Sequence, residues 1–132
     1  MAKKNLKKGM FITFEGPEGC GKSTQSKLLT KFLKKEGFKV LHTFEPGGTY
    51  IGKKIREILL DPKNAGMDKF SELLLFEAAR AQIASEVIKP ALGKKYIVIS
   101  DRFNDATRVY QSVAGGIDIK YIKAIENGLL GD

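Results

Sequence analysis

The stretch MFITFEGPEGCGKSTQ, residues 10–25, restricts the fold more than any other part of the chain. A mostly apolar run, Met10–Glu15, has the length and composition of a buried strand. It leads through Gly16, Gly19 and Gly21 into Ser23–Glu36, where Leu28, Leu29, Phe32 and Leu33 recur at helical spacing and Gly37 supplies a stop. Gly16, Gly21, Lys22 and Ser23 satisfy the spacing GxxxxGK[ST]. A polyphosphate must approach backbone closely, which excludes side chains and demands unusual φ values; glycine permits both. Amides of such a loop, and of the helix it opens, point at phosphate oxygens, and the helix dipole adds to the attraction. Gly16, Pro17, Glu18, Gly19, Cys20, Gly21, Lys22, Ser23 and Thr24 therefore form a candidate cradle for nucleotide phosphates. In it Lys22 brings a positive charge to the β and γ phosphates, and the Ser23 hydroxyl is a ligand for Mg²⁺.

Two further apolar runs, Phe38–Thr43 and Tyr96–Ser100, read as buried strands. Between them lie Thr49–Leu60, stopped by Asp61 and Pro62, and Asp68–Leu92, with Asp68 as its N-cap and Pro90 expected to kink or end it. Asp118–Asn127 is the last expected helix. Strands that are apolar throughout and separated by helices imply an α/β fold, a parallel sheet covered on both faces. Residues 1–9 read as a basic, disordered tail and residues 10–132 as one domain, with no repeat or linker.

No run approaches the roughly 20 apolar residues that span a bilayer. Cys20 is the single cysteine, so no internal disulfide forms, which fits a reducing cytoplasm. The net charge of +8 favours polyanionic partners. The lysines are dispersed, however, and the aromatic residues fall mostly on apolar faces, which argues against a specific nucleic-acid module.

A metal needs a second anchor. Asp101 directly follows the strand YIVIS, where a carboxylate on or near Mg²⁺ belongs; the same residue also suits a plain helix cap. In LLLFEAARAQIASEV, helical spacing puts Leu73, Phe76, Arg80, Ile83 and Val87 on one face, so Arg80 interrupts an apolar stripe. A buried guanidinium requires an acceptor, either a polar ligand such as a nucleobase beside Phe76, or a carboxylate such as Glu77. Arg102 stands at a strand end, placed to clamp a phosphate. His42, the lone histidine, reads as structural.

FITFEGPEGCGKSTQ, EPGGT, LLFEAARAQ and DRFNDATRVYQ occur in that order. Together they resemble bacterial thymidylate kinase, over a span from Phe11 to about Leu130. The resemblance implies a P-loop NTPase-type parallel sheet flanked by helices. It also implies transfer of phosphate from ATP to dTMP with Mg²⁺, and a homodimer packed through helices such as the one at 68–92, whose second face, Leu75, Ala78, Ala79 and Gln82, is small enough for close helix contact. By resemblance, Glu18 contacts the dTMP sugar, Pro46 borders the base, Phe76 stacks on thymine and Arg80 hydrogen-bonds its O4. Thr107 faces the polar edge of the base, Tyr110 crowds the 2′ position, and Gln111 contacts the nucleotide. Arg102 binds the acceptor phosphate, and Asp101 serves the metal.

The chain departs from the family pattern at Phe44, where an arginine is usual, and at Ala106 and Gly115. Measured against the resemblance it also lacks the C-terminal strands and the arginine-rich lid, so it reads as a C-terminally truncated member. In the implied sheet the first strand lies between the third and a fourth, so Met10–Glu15 is expected at a sheet edge. Two other readings stay open on the residues: another P-loop kinase of small molecules, and a nucleotide-binding remnant without turnover.

Overall fold

The computed structural model describes residues 3–15 and 21–102, together with Gly116, Asp118, Lys120, Lys123 and Ala124. Three strands, β1 (Met10–Glu15), β2 (Val40–Glu45) and β3 (Ile97–Arg102), form one parallel sheet in the order β1-β3-β2. β1 thus borders the described sheet on one side, as expected. Met10 and Val40 both stand opposite Ile97, so the two outer strands are level. The second strand begins and ends two residues later than its apolar run, and the third begins one residue later and ends two later, because sheet pairing carries on through Glu45 and Arg102.

Alternation along β3 sends Ile97 and Ile99 to one face of the sheet and Val98 to the other, and all three are buried. Helix α1 (Lys22–Lys35) covers the first face, where Leu29 and Leu33 join Val40, Ile97 and Ile99. Helix α3 (Lys69–Ile83), a single π-helical turn (Ala84–Ile88) and α4 (Lys89–Gly93) cover the second, placing Ile83, Ile88 and Ala91 on Val98. Helix α2 (Tyr50–Leu60) packs on α3.

The local signals explain these boundaries. Thr49 Oγ1 accepts the Gly52 amide at 2.8 Å and the Asp68 carboxylate accepts the Ser71 amide at 3.1 Å, so each caps its helix. Pro90 neither ends nor simply kinks the long helix. The backbone widens into the π turn just upstream, and Pro90 falls in the first turn of α4, where its missing N–H is tolerated. Gly48 has φ +75°, and a Cβ there would meet Ile83 Cδ1 and Thr43 Oγ1, so the second glycine of EPGGT is required for β2 to turn away beneath α3.

Three expectations need revision. Leu28 and Phe32 of α1 are each 56 % exposed, while Ser26 and Thr30 are buried. The hydroxyls make this possible: Ser26 donates to the Ser23 carbonyl and Thr30 to the Ser26 carbonyl, so both face the sheet without an unmet hydrogen bond. On α3, Ala79 is buried, and the exposed stripe is Phe70, Leu74 and Ala78 rather than the face through Ala79. Residues 3–9 lack regular structure but lie against the body: the Lys4 amide donates to the Gly37 carbonyl at 2.9 Å and Leu6 packs on the Ile97–Ile99 cluster. The helix expected at 118–127 falls mostly outside the described residues. Lys120, Lys123 and Ala124 are helical, and the Asp118 carboxylate accepts the Lys120 amide at 2.9 Å.

Ile99 is fully buried in the central strand between α1 and its sheet neighbours. Replacing it by alanine is expected to cost about 2–5 kcal/mol. Urea unfolding should show a lower midpoint with an unchanged slope.

Candidate functional site

β1 and β3 run parallel and side by side, with Phe14 opposite Asp101, and α1 begins at this end of the sheet. Gly21 adopts a left-handed conformation, φ 88°, and starts α1 with no side-chain cap. The first helical residue, Lys22, reaches Asp101 on β3 with Nζ 2.9 Å from Oδ1, and both side chains are close to nine-tenths buried. Gly21, Lys22, Ser23, Thr24 and Asp101 line one cavity of about 950 Å³. Residues 21–24, the described part of the glycine-rich motif, are thus brought together with Asp101. Gly16 to Cys20, Thr107, Tyr110 and Gln111 lie outside the described residues, as do Ala106 and Gly115, and Arg102 is described only as the last residue of β3.

The remaining wall comes from residues that sequence reasoning left unassigned. Lys27, His42, Glu45, Phe44 and Arg56 complete the lining. Arg56 of α2 donates to the Pro46 carbonyl at 3.0 Å and lies 5.9 Å from the centre of the Phe44 ring. Its helical neighbours gave no hint of this, because only the turn through EPGGT folds α2 back over the sheet end. His42 lies in mid-strand opposite Ile99, with Nε2 3.0 Å from Ser26 Oγ. Its pKa is below the ordinary 6.5: burial removes water from the charged ring, Asp101 pulls the other way, and Lys27 and Lys34 add to the lowering.

Arg80 sits on the opposite face of the sheet and outside this lining. Its Nη1 is 3.3 Å from Glu77 Oε1, its Nε is 3.5 Å from Glu45 Oε1, and its side chain is 11 % exposed. Ser100 of β3 in turn donates to Glu45 Oε2 at 2.9 Å. The carboxylate reading of Arg80 therefore holds as geometry, and Glu45 links the arginine to the cavity it borders. Phe76, one turn before Arg80, is half-buried, and Pro46 is buried behind Arg56.

Ser23 and Asp101 are oxygen donors on one cavity wall, and Mg²⁺ takes oxygen ligands with several positions left to water and phosphate. These two residues fit that ion. Among the described residues no cluster of three or more His, Cys, Asp or Glu side chains offers a site for a softer metal. Among them, too, no helix is long and apolar enough to cross a membrane.

Comparison with known proteins agrees with this geometry. The sequence profile of the Thymidylate kinase family matches residues 14–131. The chain is 58 % identical over 114 residues to the thymidylate kinase of Geotalea daltonii, covering 86 % of this chain and 53 % of that protein. It is 52 % identical over 118 residues to that of Thermosipho africanus, covering 89 % of this chain and 58 % of the relative. The crystal structure of thymidylate kinase from Ehrlichia chaffeensis superimposes with a TM-score of 0.85 at 42 % identity, over 95 % of this chain and 70 % of the other. The chain thus spans about half the length of the curated relatives it matches.

The folded chain holds the His42 proton less tightly than the unfolded chain, since its pKa is lowered. The stability contributed by the neutral ring is complete above 6.5 and is lost as pH falls through the lower, folded value. Thermal melts from about pH 7 to about pH 5 should therefore decline more steeply for the unaltered chain than for His42→Gln. Parallel declines would show that His42 does not titrate between the two states.

Proposed function

The chain belongs to the thymidylate kinase family, and from that premise we propose that it takes part in transfer of the γ-phosphoryl group of ATP to the 5′-phosphate of dTMP, giving ADP and dTDP. The observation that carries this reading is the Lys22–Asp101 pair in a cavity opening where a phosphate-binding turn begins a helix. Phosphoryl transfer asks little covalent work of a protein; it asks that two polyanions be held in line and their charge neutralised.

Lys22 exchanges the Asp101 carboxylate for phosphate oxygens when the triphosphate enters. Removing one member of a buried ion pair is costly, so Asp101 then needs a cation. Ser23 and Asp101 would hold Mg²⁺, which supplies charge neutralisation on the phosphates when bound. Lys27 and Arg56 add positive charge to the same wall, and Arg102, at the end of β3, is assigned to the acceptor phosphate. Gly16 to Thr24 cradle the ATP phosphates, with Glu18 directed to the dTMP sugar. Phe76 stacks on the base, Arg80 donates to thymine O4, and Pro46, Thr107, Tyr110 and Gln111 complete the acceptor pocket. Glu45 and Glu77 support this assignment because they clamp the guanidinium from two sides, so its direction does not vary with the ligand. A homodimer through α3 belongs to the same reading; Phe70 and Leu74, 44 % and 45 % exposed and one turn apart, favour it.

The test is ADP release from ATP and Mg²⁺ with dTMP or dCMP as acceptor. Cytosine presents an amino group where thymine presents O4, so a fixed donor would face a donor. Turnover with dCMP should fall by about ten- to a hundredfold, the cost of an unmet buried hydrogen bond. Equal turnover with both acceptors would remove the base assignment, and nucleotide binding without ADP release would remove the kinase assignment for this chain.

A further inference from the structure

We propose that His42 is a positioning residue of the donor-phosphate site, fixing the first turn of α1 to the sheet through Ser26 and thereby strengthening the hold on the nucleoside triphosphate. The inference rests on the phosphate-site reading above and adds to it a residue that neither the glycine-loop motif nor the strand-end carboxylate includes.

Hydrogen-bond chemistry fixes the direction of the contact. Ser26 is fully buried, and its Oγ lies 3.0 Å from the Ser23 carbonyl oxygen and 3.0 Å from His42 Nε2. A hydroxyl has one proton, and a carbonyl can only accept. The Ser26 proton therefore goes to Ser23, and the imidazole must donate. Neutral His42 is then held as the Nε2–H tautomer, with Nδ1 unprotonated.

The placement gives this bond a function. Ser23 follows Lys22 in the turn that lines the cavity. Gly21 offers that turn no side-chain cap. Among the described residues, two side-chain hydrogen bonds join α1 to the sheet: Lys22 to Asp101 and Ser26 to His42. The first is given up when Lys22 turns to a phosphate. The second remains, anchored on a strand that is paired to β3 from Val40 to Glu45. It keeps the helix start in place at the moment its other tie is released, which is when misplacement of the turn would be most damaging to binding.

The measurement is calorimetric titration of the full chain, untagged, with ATP and MgCl₂ and, separately, with dTMP. His42→Phe keeps the ring volume and loses the donor; His42→Gln keeps an N–H. His42→Phe should weaken ATP binding by about three- to tenfold, the size of one net hydrogen bond, and leave dTMP binding within about twofold. His42→Gln should restore most of the ATP affinity. Because the chain has one histidine, nitrogen NMR of the unaltered protein reads its tautomer directly; a protonated Nε2 beside a bare Nδ1 is expected. The opposite tautomer, or ATP affinity unchanged in His42→Phe, would overturn the inference alone. An unaltered chain that binds dTMP but no ATP would overturn the phosphate-site reading and this inference with it.

Discussion

β3 is hydrogen-bonded on both sides, and the site is built on that pairing. A strand with two neighbours has no freedom to shift, because a one-residue slip would turn Ile97, Ile99 and Val98 to the wrong faces at once. The same alternation decides the polar residues that follow. Asp101 shares the parity of Ile97 and Ile99 and faces α1; Ser100 shares that of Val98 and faces α3. Asp101 thus meets Lys22, and Ser100 meets Glu45 and, through it, Arg80. Two adjacent residues of one strand feed polar clusters on opposite sides of the sheet, joined at the cavity that Asp101 and Glu45 both line.

Those clusters differ in how their cations are held. Among the described residues Lys22 has one carboxylate partner, in a cavity open to solvent, and a lysine is a mobile point charge on a flexible stem. Arg80 lies between two carboxylates, one of them fixed by Ser100, and a guanidinium is planar and strongly directional. Lys22 can therefore change partner, whereas Arg80 is fixed in direction.

Much of this was legible in the sequence because it is written in local chemistry. The glycine spacing before Lys22, the caps at Thr49 and Asp68, and the three apolar runs each act within a few residues. The misreadings arose where burial depends on long-range partners. Ser26 and Thr30 look like solvent positions on α1, yet bonds to their own helix let them face the sheet, which displaces Leu28 and Phe32 outward. His42 and Arg56 carried no motif. Their place on the cavity wall depends on β2 pairing with β3 and on α2 folding back after EPGGT, neither of which any short window of sequence encodes. The carboxylate partner of Arg80 was foreseen at Glu77, three residues away, but not at Glu45, which reaches it only through the packing of α3 on the sheet.

Phe44 and Arg56 show how neighbouring elements share one wall of the cavity. Phe44 brings no charge to the cavity wall, and a cation there has to come from another element. The wall nevertheless holds a guanidinium there: Arg56 approaches from α2, lies 5.9 Å from the centre of the Phe44 ring, and is oriented by its bond to the Pro46 carbonyl. An aromatic face favours a cation, and a second arginine at 44 would repel the one at 56. The positive charge at this end of the sheet is thus supplied from a helix, with the strand supplying the ring beside it. The electrostatic demand of the cavity is met by the elements that converge on it, and no single motif position has to carry it.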